Sequence, residues 1–91
     1  MIDGIGAAWF LKVTIEHGAA AQANFNAYPL LRMADAPRVV DVHFVKSNSA
    51  PMGLGEPGLP AAAPAVCNAI FAATGKRIRT LPIVDQDLQW S

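Results

Sequence analysis

One carboxylate stands apart in this sequence. Glu56 lies in GLGEPGLP, residues 53–60, with Gly53 and Gly55 before it and Pro57 directly after. Pro57 restricts its own φ and biases Glu56 away from the helical region, so the carboxylate sits on a stiff, glycine-bordered turn. There is no other charged side chain within nine residues on either side. A general base needs a fixed position, a largely apolar surround and a tunable affinity for its proton, and this stretch offers all three. Burial would make the carboxylate more basic, and a helix N-terminus nearby would make it less so. The plain alternative is a loop glutamate that caps the following helix or faces water.

The other chemistry-bearing residues are poorer candidates. His17 precedes Gly18 in a turn signal, and His43 lies in a strand pattern. Neither has a Cys, Glu or second His at metal-ligand spacing. Cys67 is the single cysteine, which excludes an internal disulfide framework, and its neighbours Val66 and Asn68 include no base, so it reads as a small core residue. Lys76, Arg77 and Arg79 form the densest basic run and read as cations near a helix C-terminus. Arg32 is expected to pair with Asp35, and Trp9, Phe10, Phe25, Phe44 and Phe71 are expected to be core or buried interface.

The elements that must position Glu56 follow from periodicity. Residues 4–11 read as the end of a helix weakened by Gly4 and Gly6, which either admit another backbone or loosen the end. Leu11, Val13 and Ile15 alternate with Lys12, Thr14 and Glu16, which predicts a strand over 11–16. His17-Gly18 then turns the chain back into a weaker strand over 20–26. Residues 27–38 carry Pro29 and Pro37 and read as an extended connection. VVDVHFVK, residues 39–46, is the strongest strand pattern in the chain, with Val40, Val42 and Phe44 on one face and Asp41 and His43 on the other. The long loop 47–60 leads to a helix over 61–74, with Pro64 expected in its first turn and Gly75 ending it. The expected architecture is a single α+β domain over 1–91. It has a small antiparallel sheet of about three strands, packed with an N-terminal helix fragment and the helix that follows the Glu56 loop.

Composition sets the frame. The 91 residues carry seven basic and seven acidic side chains; 53% of the chain is hydrophobic and only 15% charged. Mean hydropathy is +0.29 and the isoelectric point is near 6.7. Balanced charge without a basic stripe argues against nucleic-acid binding. No apolar run is long enough to cross a membrane, and Asp3 stands where an export signal would be basic. Small domains usually carry more charge on their large relative surface, so this composition suggests a part that sits inside a larger assembly.

From about residue 3 to residue 83 the chain resembles the C-terminal end of the molybdopterin-binding large subunit of the xanthine oxidase and aldehyde oxidase family. It looks most like the isoquinoline 1-oxidoreductase and bacterial aldehyde dehydrogenase branch. The residues that carry the resemblance are DGIGAA at 3–8, NFNAYPLLRMADAP at 24–37, VDVHFV at 40–45 and GLGEPGLPAAAPAVCNAIFAATGKRIRTLP at 53–82. The resemblance implies that Glu56 matches the family's general base, which lies beside molybdenum during hydroxylation of an aldehyde or N-heteroaromatic. Gly53 and Gly55 match the loop glycines that let this carboxylate approach the cofactor, a molybdopterin in its cytosine dinucleotide form. The implied partners are the remainder of the large subunit and an iron–sulfur subunit. The family's upstream cofactor-binding loops are absent from these residues, and one cysteine cannot hold an iron–sulfur cluster. The isolated chain is therefore expected to bind no cofactor, to be inactive and to self-associate through its apolar surface. The complete enzyme's location stays open between cytoplasm and periplasm. The competing reading is a non-catalytic structural or interaction module that keeps the fold; a small-ligand binder using the 47–60 loop is a third.

Overall fold

The computed structural model describes residues 1–89. The chain begins with helix α1, Ile2–Trp9, whose first turn closes with the Ile5 N–H on the Met1 carbonyl at 3.0 Å. A hairpin follows, with β1 at Ile15–Glu16 and β2 at Ala19–Ala20, antiparallel and in register Ile15 to Ala20 and Glu16 to Ala19. His17 and Gly18 form its turn with φ of 52° and 79°. Two consecutive positive φ values give the turn a twist that matches paired strands, which is why the His-Gly signal is informative. Gln22 extends the pairing through its side chain. Its Oε1 accepts the Thr14 N–H at 2.8 Å, and its Nε2 donates to Thr14 Oγ1 at 3.1 Å.

Helix α2 spans Gly58–Thr74. It starts three residues earlier than the sequence suggested, so Pro64 falls in the second turn rather than the first. Pro57 at the N-cap and Pro60 in the first turn already have the φ that helix entry requires, and this lets the helix begin ahead of the alanine run. Gly75 ends it in the left-handed conformation, φ 75°, with its N–H on the Phe71 carbonyl at 2.8 Å. Arg77 then folds back along the helix. Its guanidinium carbon lies 3.6 Å from the Phe71 ring centroid, and Nη1 donates to Asn68 Oδ1 at 2.9 Å. A single 3-10 turn, Ile83–Asp85, lies against α1, where Lys12 and Asp85 approach to 3.5 Å.

The α+β class read from the sequence holds, but the sheet has two strands of two residues each rather than about three. Beyond β2 the Ala21 N–H still reaches the Thr14 carbonyl at 2.8 Å, but from Asn24 the chain turns, the Asn24 carbonyl accepting the N–H of Ala27 and Tyr28. Residues 39–46 form no ladder, and every one of them is exposed. The reason is that alternation permits a strand but does not supply its partner. The Arg32–Asp35 pair is also absent from the ion pairs among the described residues; a backbone turn joins these two instead.

The core is small. Ala8, Ala62 and Ile83 are its buried apolar residues, joined by Gly4, Gly6 and Pro82. Helices α1 and α2 cross so closely that a Cβ on Gly4 would lie 2.6 Å from Ala62 Cβ and 2.7 Å from the Leu59 carbonyl oxygen. Of the aromatics expected to be buried, Phe25, Phe44 and Phe71 are exposed, while Trp9 and Phe10 are half-buried. Accessible area is 7652 Å², against about 5,100 Å² for a compact protein of this mass. The radius of gyration is 16.2 Å, against about 12 Å for a compact chain of this length.

Candidate functional site: the Glu56 loop

Glu56 stands two residues ahead of α2 on a run, 51–57, in which every residue is exposed. Its backbone begins the helix entry, since its carbonyl accepts the Leu59 N–H at 3.1 Å. Its side chain does not cap the helix. It also takes no part in the ion pairs among the described residues. Of the plain alternative raised by the sequence, the cap is not observed, and the exposed carboxylate faces solvent as its other half expects. No acidic residue lies in the first turn of α2, so Glu56 is the nearest carboxylate in sequence to that helix's positive end.

The surround is apolar. Met52, Gly53, Pro57, Leu59 and Pro60 join Glu56 in lining an open groove of about 590 Å³. From Ser47 to Gly75 no other residue is charged. Gly53 and Gly55 have negative or extended φ, and a Cβ at either would meet nothing within 4 Å. Nothing among the described residues therefore demands glycine at 53 or 55.

The scaffold behind the loop is the α1–α2 crossing. Gly4 meets α2 at Leu59, the residue bonded to Glu56, and Met1 Cγ lies 3.6 Å from the Cβ position of Gly58. The sequence reading left open what Gly4 was for. The available signal was a glycine at 4 facing an alanine-rich helix, a pairing that suits close crossing.

The remaining candidates do not converge on the loop. His43 is exposed, His17 occupies the hairpin turn, and Cys67 is free and half-buried on α2. Lys76 reaches the C-terminal residues, with Nζ donating to the Gln89 carbonyl and lying 3.9 Å from Asp87 Oδ1. Among the described residues no group of three His, Cys, Asp or Glu could hold a metal ion. No helix among them is long and apolar enough to cross a membrane. The site therefore amounts to one outward carboxylate on an apolar, open-backed loop. Such a carboxylate can accept and release a proton.

Sequence comparison finds relatives of this chain among known oxidoreductases. The chain is 41% identical over 85 residues to a membrane-bound aldehyde dehydrogenase [pyrroloquinoline-quinone] of Gluconacetobacter polyoxogenes, covering 93% of this chain. It is 35% identical over 83 residues, 91% of this chain, to the beta subunit of isoquinoline 1-oxidoreductase from Brevundimonas diminuta. It is 36% identical over 72 residues, 79% of this chain, to a nicotinate dehydrogenase subunit of Pseudomonas putida. The chain spans 11%, 10% and 6% of the lengths of these three relatives. No protein-family model and no solved structure matches it. The resemblance read from the sequence is thus borne out: most of the chain is similar to one short segment of an aldehyde dehydrogenase, an isoquinoline 1-oxidoreductase beta subunit and a nicotinate dehydrogenase subunit.

Proposed function

We propose that residues 1–91 act as one unit of a molybdenum-dependent oxidoreductase that hydroxylates aldehydes or N-heteroaromatic compounds, and that Glu56 is its general base. The observation that carries this reading is the Glu56 carboxylate itself, presented outward on an apolar loop and used by no cap or ion pair among the described residues. The names of the three relatives, an aldehyde dehydrogenase and two N-heteroaromatic oxidoreductases, support the substrate classes. They also disfavour the non-catalytic module.

The residues present fit a wall beside a cofactor rather than a cage around it. Glu56 would face the group, and the open backbone at Gly53 and Gly55 would let it come close. A molybdopterin, in the cytosine dinucleotide form, would supply the two-electron redox chemistry when bound. Glu56 would accept a proton at its carboxylate from the attacking oxygen nucleophile. The Met52, Leu59 and Pro60 side chains would keep bulk water from its apolar side. Molybdopterin contacts would come from the remainder of the large subunit, and electrons would leave through an iron–sulfur subunit. Alone, the chain would hold no cofactor and turn over no substrate. Two of the relatives are named as subunits, which is consistent with partner chains.

The test is complementation by the remainder of the large subunit and the iron–sulfur subunit, comparing Glu56 with Glu56→Gln. Dye reduction is expected to fall by about 100- to 10,000-fold in the variant. Equal rates would remove Glu56 from the mechanism. Metal analysis of the assembled enzyme separates the cofactors: molybdenum is expected, and its absence beside bound pyrroloquinoline quinone, the group in the Gluconacetobacter relative's name, would replace this assignment.

A further inference from the structure

The strongest strand pattern in the sequence has no partner in the structure. Val40, Val42 and Phe44 alternate with Asp41 and His43, and β-branched or aromatic residues fill most of 39–46. Yet none of the turn and loop backbone hydrogen bonds among the described residues involves 37–46. The apolar side chains are open to solvent: Val40 is 44%, Val42 55% and Phe44 67% exposed. Eight residues of strand would span about 26 Å and offer a ladder of backbone donors and acceptors along that length. An unpaired apolar edge of this length is a template for another strand.

We infer that residues 39–46 are an interaction strand that completes a β-sheet with an edge strand in the part of the large subunit outside this chain. The occupant is set by length. The chain spans about a tenth of two of the relatives it matches, so most of the polypeptide able to supply that edge lies outside these residues. Chemistry agrees. The apolar face of Val40, Val42 and Phe44 calls for an apolar face in register, while Asp41 and His43 share the other face with Val39 and Val45. The excess of accessible area over a compact chain, roughly 2,500 Å², exceeds what a standard protein interface buries in total, so there is ample surface for such docking.

This inference rests on the reading of the chain as a large-subunit segment, and its test measures docking rather than catalysis. The 91-residue chain is co-expressed with the Brevundimonas relative lacking the 83 residues that match it. The two are expected to co-purify, with amides 39–46 exchanging at least about 100-fold more slowly than in the chain alone. Val42→Pro removes one backbone donor at an exposed position and is expected to reduce co-purification at least about 10-fold, whereas Val42→Thr keeps it. Circular dichroism of the free variants is expected to match the parent, because 39–46 contributes nothing to either helix. Complex formation with 39–46 unprotected, or unaffected by Val42→Pro, would overturn the inference and leave the role of Glu56 standing. Failure to co-purify would also overturn it. Protection that rises with concentration in the chain alone would overturn it too, assigning the edge to a second copy instead.

Discussion

Gly4→Ala is the sharpest probe of how the chain holds the Glu56 loop. The added methyl would lie 2.6 Å from Ala62 Cβ and 2.7 Å from the Leu59 carbonyl oxygen, where ordinary contact begins near 3.4 Å. The helices must separate by roughly 0.8 Å to admit it, and one of the two contacts is backbone, which has no rotamer to yield. Overpacking of this kind costs about 1–3 kcal/mol, while alanine returns up to about 1 kcal/mol of helix propensity. The net is a loss of about 1–2 kcal/mol, or a Tm lower by roughly 5–15 °C for a chain of this size. The assay is urea and thermal unfolding followed by helical circular dichroism, with Gly6→Ala as the comparison. There the new methyl's tightest contact is the Leu31 Cβ, at 3.0 Å, so a smaller effect is expected. A Gly4→Ala chain as stable as the parent, or more stable, would refute the close crossing as the support of the loop.

Three further outcomes follow from other contacts. Gln22→Ala removes both side-chain bonds to Thr14 and is expected to speed amide exchange at Thr14 and through the hairpin, with a cost of about 1–2 kcal/mol. Gly75→Ala forces a side chain into φ 75° and is expected to cost about 1 kcal/mol and fray the end of α2, visible as faster exchange at residues 72–75. The free chain is expected to self-associate and bind a hydrophobic dye, since Met33, Val45 and Met52 are among its most exposed residues; light scattering showing a monomer at high concentration would contradict this.

What was legible in the sequence was local. The hairpin turn at His17-Gly18 and the end of α2 at Gly75 each rest on a conformation that a dipeptide or a single glycine announces. The isolation of Glu56 was also visible, because it is a property of neighbours in sequence. What was not legible depended on distant residues. The 39–46 strand pattern finds no backbone partner among the described residues. The buried aromatics needed a core that the described residues do not close. The start of α2 was missed by three residues because Pro57 and Pro60 were read as loop punctuation, whereas both suit a helix's first turn. Gly4 could be named but not explained until α2 was seen to cross it.

Five of the seven glycines sort into two kinds of tolerance. At 4, 18 and 75 the chain's own geometry penalises a side chain, through a clash or a positive φ. At 53 and 55 it forbids nothing. The folding of the isolated chain is therefore blind to what occupies these two loop positions, and a library randomised there could be recovered intact. Under the proposed function, whatever restriction the same library meets after assembly with the remainder of the large subunit would be an imprint of the loop's neighbour, readable as the largest side chain admitted beside Glu56.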